Sequence, residues 1–206
     1  MNRLEKRDRI SKVYMERNIE LEFFDSRETL ISSIREELMK VNTVGIGNSQ
    51  TLKELGITEI AIEMGKTVYD KTLGKSLEEI KKLKKKALLS ECYLSSSNSI
   101  SEQGTIVNVD HSGNRVAALN YGPDRVLIVI GENKIVKNEK EAIVRALKVA
   151  TPQNARRAQI ASPCSLGKPC DLCNQTVRVC NLISVIRGQN QSGRMKILVL
   201  SESIGF

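Results

Sequence analysis

From Val41 onward, short apolar runs alternate with stretches whose apolar residues recur at helical spacing, the pattern of strands alternating with helices. Val41–Ile46 predicts a short strand, followed by the turn Gly47–Ser49 and a helix over Gln50–Leu55. Thr67–Asp70 predicts a second strand. Ser76 and Glu79 form a capping box before a helix whose apolar positions are Leu77, Ile80, Leu83 and Ala87. Cys92–Ser96 predicts a third strand. Thr105–Asp110 and Arg115–Tyr121 flank the polar turn His111–Asn114 and suggest a hairpin. Arg125–Ile130 is a continuous apolar run, as in a strand covered on both faces. Asn138 and Glu141 cap a helix reaching about Ala150, Pro152 opens another, and Ile183–Arg187 and Met195–Leu200 close the chain as strands.

The section before Val41 is charge-rich and predicts two helices over 3–40. The second starts at Asp25 and Glu28 and carries Leu30, Ile31, Ile34 and Leu38 at helical spacing. The expected organisation is a helical segment over 1–40, serving as an arm, a layer or an oligomer contact, then an α/β domain over 41–206 with a cysteine-rich loop at 163–181. The expected fold is a mostly parallel sheet with helices on both faces and an inserted antiparallel hairpin. In such sheets ligands bind at the carboxyl ends of strands, where this chain places its polar loops.

Composition narrows the partners. The 206 residues include 40% hydrophobic ones but no Trp, and aromatic residues make up 3%, so the core is aliphatic and base-stacking platforms for nucleic acid are not expected. The net charge of +8 calls for an anionic partner. The run Lys81, Lys82, Lys84, Lys85 and Lys86 reads as the solvated face of a helix rather than a nucleic-acid patch, leaving a small anionic metabolite as the expected ligand. No apolar run approaches the ~18 residues of a membrane span. Met1–Arg9 carries both charge signs without the apolar core of a secretion signal. A cytoplasmic protein is expected, with its cysteines present as thiols or ligands.

Three polar loops carry candidate chemistry. In the first, Gly45, Gly47, Asn48, Ser49, Gln50 and Thr51 combine close backbone approach with N–H and hydroxyl donors. This suits a phosphate or carboxylate, although a plain tight turn accounts for the glycines as well. The second, Ser95–Gly104, offers Ser97 and Asn98 and a single carboxylate, Glu102. That acid can act as general base or acyl carrier, or cap a helical turn from Ser99. The third contains Asp110, Asn114 and Arg115, with Asn133 and Lys134 following the Arg125–Ile130 strand. Arg115 and Lys134 either clamp an anion or pair with Asp110 and Glu132 at the surface.

Cys164, Cys170, Cys173 and Cys180 crowd into one Gly/Pro-containing stretch. Four soft ligands, two of them as Cys-x-x-Cys, suit Zn²⁺ or an iron–sulfur cluster. Redox-active thiols beside Lys168 and Arg178, or partly buried cysteines, are the alternatives. Cys92 reads as core, and with His111 the sole histidine no histidine pair is available.

These segments resemble the LUD-domain, or lactate-utilisation, family. The resemblance rests on Gly-Ile-Gly-Asn-Ser-Gln-Thr-Leu at 45–52, Ser-Ser-Asn-Ser-Ile-Ser-Glu-Gln-Gly-Thr-Ile-Val-Asn at 96–108 and Gly-Asn-Arg-Val-Ala at 113–117. It continues through Gly-Pro at 122–123, Gly-Glu-Asn-Lys-Ile-Val at 131–136 and the cysteine stretch. It implies a fold like that of sugar-phosphate isomerases and CoA-transferases, and a role with a lactate-related organic acid alongside iron–sulfur protein partners. Glu102-Gln-Gly104 is similar to the segment carrying the acyl-accepting glutamate in some CoA-transferases, which implies an isomerase or acyl/CoA-transferase as the alternative activity. A third reading is an interaction protein stabilised by metal. The chain lacks the ferredoxin-type Cys-x-x-Cys-x-x-Cys module of larger members.

Overall fold

The computed structural model describes residues 2–170, 173 and 176–206. The chain begins α1 (Arg3–Met15), β1 (Ile19–Phe24), α2 (Arg27–Met39), β2 (Thr43–Ile46), α3 (Gln50–Glu54), α4 (Ile57–Glu63) and β3 (Thr67–Asp70). It continues α5 (Leu77–Ala87), β4 (Cys92–Ser95), β5 (Ser99–Ser101), β6 (Ile106–Asp110), α6 (Asn114–Asn120), β7 (Arg125–Gly131) and β8 (Ile135–Val136). It ends α7 (Glu139–Arg145), α8 (Thr151–Arg157), β9 (Leu182–Ile186) and β10 (Met195–Leu200).

The larger sheet is parallel, in the order β1-β10-β7-β4-β2-β3. Its central strands are apolar at nearly every position because both faces are covered. Successive side chains point to opposite faces, so Leu127, Val129, Leu198 and Leu200 pack on one side with Leu30, Ile34 and Leu38 of α2 and Ile57 of α4. Val126, Ile128, Ile130, Ile197 and Val199 pack on the other with Ile10 and Tyr14 of α1 and Ala118 and Leu119 of α6. The smaller sheet, β8-β5-β6-β9, is mixed; its Val107 and Val109 pack against Ala142 of α7 and Ala146 just beyond it.

Two expectations change. Residues 3–40 are not helical throughout, because Ile19–Phe24 pairs in parallel with β10 from Ile19↔Met195 to Phe24↔Leu200. Ile19 and Leu21 are buried while Glu20 and Glu22 reach basic partners, Arg125 at 2.6 Å and Lys196 at 2.9 Å. The segment 1–40 therefore supplies a strand to the same sheet that 41–206 builds.

The antiparallel hairpin exists but is formed by β5 and β6, with Ser99 opposite Val107. Residues 114–120 are helical instead. Asp110 explains the switch: its Oδ2 accepts the backbone N–H groups of Arg115 (3.0 Å) and Val116 (3.2 Å), and its Oδ1 accepts that of His111 (2.8 Å). The carboxylate thus satisfies donors that a helix start leaves open.

A wide π-type turn, Ala146–Ala150, joins α7 to α8. Pro152 lies just beyond it. A proline inside a helix lacks the N–H and crowds the carbonyl four residues back, and the wide turn relieves that conflict. Thr151 Oγ1 donates to Ala146 O at 2.8 Å, tying the turn together. No helix among the described residues is long and apolar enough to cross a membrane.

Candidate functional site

The loops that follow β2, β3, β4, β6 and β7 meet around one cleft of about 180 Å³. Asn48, Ser49, Gln50 and Thr51 contribute one wall, and Ser96, Ser97 and Asn98 contribute its neighbour. Asp110, His111, Ser112, Asn114 and Arg115 approach from the β6–α6 corner, while Thr151, Asn154 and Arg157 reach in from the helix beyond the π-type turn. Lys71, Lys84 and Lys134 complete the basic lining, and Ile160, Val179 and Phe206 add apolar contacts.

Lys134 is buried, 2% exposed. Its Nζ donates to Thr51 Oγ1 at 2.8 Å and Ser96 Oγ at 3.0 Å, and those two hydroxyls lie 3.3 Å apart. Burial pushes this amine down to about 7; Arg145 and Arg115 push the same way, and only Glu54 opposes them. Arg115 is held by Asn98 Oδ1 at 2.9 Å and Val109 O at 2.6 Å. Burial lowers its pKa too, with Asp110 and Tyr93 opposing.

Arg157 donates to Asn154 Oδ1 at 2.8 Å and Asn48 Oδ1 at 3.2 Å, but its buried Nε has no hydrogen-bond partner among the described residues. Lys71 is lowered first by burial, then by Lys84 and Arg157. The cleft is therefore crowded with positive charge. Its carboxylate, Asp110, already serves three backbone N–H groups.

Sequence comparison decides the affiliation: the LUD domain model matches residues 8–200. The chain belongs to the LUD-domain family. That family is associated with lactate utilisation, which gives this LUD domain a coarse lactate-related role. A crystal structure of a DUF162 family protein from Deinococcus radiodurans superimposes with a TM-score of 0.56 at 18% identity, covering 98% of this chain and 99% of that one. At that identity the likeness concerns the fold. No curated protein matches the chain at a significant level.

Within this LUD domain the expected ligand-binding residues divide. Asn48, Ser49, Gln50, Thr51, Ser97, Asn98, Asp110, Asn114, Arg115 and Lys134 all line the cleft. Gly45 and Gly47 do not line it. A Cβ on Gly45 would lie 2.7 Å from Ala87 O and the Tyr93 ring, and one on Gly47 2.8 Å from Ser95 Oγ. These glycines thus serve close packing beneath the loop. Asn133 also turns away: its amide contacts Ile204 N at 3.3 Å and Gly205 O at 3.4 Å, securing the C-terminal tail.

Glu102 stands outside the cleft, where its carboxylate pairs with Lys6 at 2.7 Å and with Arg9. Burial alone would raise its pKa, but Lys6 and Arg9 outweigh that and hold it below the usual carboxylate range. Nor does it cap a helix from Ser99, because Ser99–Ser101 is strand and the Glu102 N–H donates to Val136 O at 2.8 Å. The expected surface pairings of Arg115 with Asp110 and Lys134 with Glu132 give way too. Asp110 takes backbone donors, and Glu132 binds Arg3 and Arg7 at 3.0 and 2.8 Å.

Lys71, Lys84, Ser96, Thr151, Asn154 and Arg157 line the site as well, beyond the residues expected to bind the ligand. Lys84 sits within the lysine run, four of whose members are exposed while Lys84 is half-buried at the cleft. Its position at the end of an i, i+4 row with Ile80 is a signal, though a faint one.

The cysteine loop adjoins the cleft through Val179. Residues 171–172 and 174–175 within it lie outside the described residues. Burial pushes the Cys180 thiol up; Cys170, Cys173 and Cys164 act in the same direction and Arg178 opposes them. Among the described residues no group of three or more His, Cys, Asp or Glu side chains is placed to hold a metal ion. Cys92 is fully buried, as expected of a core position.

Proposed function

We propose that the cleft binds a small organic acid, lactate or a related carboxylate, and presents it for conversion together with iron–sulfur partner proteins. The observation that carries this reading is the charge imbalance in the cleft. Lys71, Lys84, Arg115, Lys134 and Arg157 line it, against an Asp110 whose oxygens are occupied by backbone donors. Cations crowded in a partly dry pocket repel one another, and a bound anion reverses that cost. The unpartnered Arg157 Nε, the Asn48 and Asn154 amides beside it and the Ser97 and Thr51 hydroxyls are the donor types that orient a carboxylate.

The alternative, isomerisation or acyl transfer through Glu102, needs that carboxylate at the substrate. Its ion pairs with Lys6 and Arg9 outside the cleft favour the binding role of the basic residues instead. For the cysteine loop, the crowding of Cys164, Cys170, Cys173 and Cys180 into one Gly/Pro-containing stretch supports them as thiolate ligands. A zinc ion there would brace the loop, and an iron–sulfur cluster would carry electrons.

Titration calorimetry with lactate, glycolate and acetate tests the main reading. Saturable binding is expected to weaken roughly tenfold or more in Arg157→Gln, since a hydrogen bond to a charged group contributes about 1.5–3 kcal/mol. Binding that is absent in the native chain, or indifferent to Arg157→Gln and Lys71→Met, overturns it.

A further inference from the structure

Lys134 differs from the other cations of the cleft. Its amine is enclosed, its partners are the hydroxyls of Thr51 and Ser96, and no carboxylate among the described residues pairs with it. The C-terminal tail closes over it: Gly205, at φ +60°, runs so near that a Cβ there would stand 3.1 Å from both the Lys134 Nζ and the Thr51 N. A lysine used only to hold an anion is served by a permanent charge and a solvated approach. Lys134 is instead desolvated beside like charges, with Arg115 and Arg145 disfavouring its cationic form. That combination turns an ammonium into a free amine near neutral pH.

We propose that Lys134 is a nucleophile that forms an imine with the carbonyl of a 2-oxo acid held in this cleft. The proposal rests on the carboxylate-binding reading above and adds the substrate's second functional group. The Lys134 nitrogen pair attacks the carbonyl carbon, a C–N bond forms, and the carbonyl π pair moves to oxygen. A proton passes from nitrogen to that oxygen, and the hydroxyl departs with a second proton as water, leaving the imine. Amine and ketone thus give imine and water, and nothing is oxidised or reduced.

The Thr51 and Ser96 hydroxyls, at 2.8 and 3.0 Å from Nζ, are within reach to relay those protons. Arg115 and Arg157, lining the same cleft, supply the cations that a carboxylate next to the carbonyl requires. The amine pushed down to about 7 is substantially unprotonated where the reaction would run. Once protonated, the imine withdraws electrons from the neighbouring carbon, so proton loss or bond cleavage there becomes the accessible chemistry.

The test is borohydride reduction of the native chain with pyruvate at neutral pH, followed by peptide mass mapping. The expected result is one pyruvate-derived secondary amine, on Lys134, suppressed by excess lactate. Exchange of the pyruvate methyl protons for deuterium in heavy water, lost in Lys134→Met, is the second expected readout. Adduct absent, or spread over the exposed lysines Lys81, Lys82, Lys85 and Lys86, overturns the proposal. Calorimetry on the same samples separates the failures. Pyruvate that binds without trapping ends the imine and leaves the carboxylate site standing, whereas pyruvate and lactate that neither bind nor trap end both.

Discussion

Lys134 Nζ lies 2.8 Å from Thr51 Oγ1 although 83 positions separate the two residues. The contact joins the loop after β7 to the first turn of α3, across a sheet in which β4 stands between β2 and β7. A buried amine held by hydroxyls has a consequence for stability. In the folded chain its pKa falls to about 7, from an ordinary value of 10.5. Between those values the unfolded chain binds the extra proton, so stability rises with pH across that window. The penalty is complete below about 7 and gone above the unfolded pKa. Thermal melts should therefore show the ligand-free native chain gaining on Lys134→Met as pH rises from 7 toward 10. Parallel curves for the two proteins would mean that Lys134 is ordinarily charged in the fold.

Anion binding has the opposite pH dependence. A bound carboxylate favours the ammonium form, so affinity should be greatest below about 7 and decline above it. The uptake of a proton on binding, read from calorimetry in buffers of different ionisation heat, checks the same point.

Much of this architecture was legible because its signals are local. Thr67–Asp70 and Met195–Leu200 are strands with the predicted limits, since β-branched, aromatic and aliphatic residues are concentrated in each. The alternation Ile19-Glu-Leu-Glu-Phe23 is equally local, yet two charge-rich helices flank it and its strand partner, β10, lies at the far end of the chain. Residues 114–120 form a helix rather than the expected strand because the deciding partner is Asp110, which caps the helix from outside it. The cleft was legible only in part. Loops after strands were recognisable, but Arg157 arrives from a helix whose entry into the site depends on the wide turn before Pro152. Glu102 shows the converse: a suggestive motif whose direction is set by remote α1, through Lys6 and Arg9.

Asp110 lines the cleft, but its three backbone acceptor contacts assign it to structure. Asp110→Asn keeps an acceptor and loses the charge that complements the helix start. Urea melts should show a loss of about 0.5–2 kcal/mol, the range of a damaged cap. Anion affinity should hold or rise, because the cleft becomes more positive. A variant of native stability that no longer binds anions would move Asp110 from scaffold to ligand contact.

Glu102→Gln should leave the cleft untouched. Its side chain is 15% exposed while those of Lys6 and Arg9 are 48% and 45% exposed, so the pairs straddle the surface. Ion pairs of this kind contribute up to about 1 kcal/mol, and the melting point should drop only slightly. Native affinity for carboxylates is expected alongside it. Loss of turnover or binding in a normally folded Glu102→Gln protein would revive the acid as a participant and weigh against the basic cleft.

The cysteine loop offers the last prediction. Cys180 sits beside β9, half-buried, and its thiol is raised by burial and then by Cys170, Cys173 and Cys164. A raised pKa means that the Cys180 thiol, left to itself, keeps its proton; thiolates brought together repel one another. A soft cation reverses this, because each sulfur that binds it gives up its proton and the repulsion becomes shared attraction. Protein isolated without oxygen should therefore carry zinc or iron, and its release should be accompanied by proton uptake. Cys180→Ser should lower the metal content measured by plasma mass spectrometry and leave the parallel sheet intact by circular dichroism. The neighbouring Val179 faces the cleft, so loss of the metal is also expected to weaken carboxylate binding modestly. An anaerobic preparation that holds no metal, takes up neither added zinc nor ferrous iron, and melts like Cys180→Ser would leave these cysteines as reduced thiols packed beside the cleft.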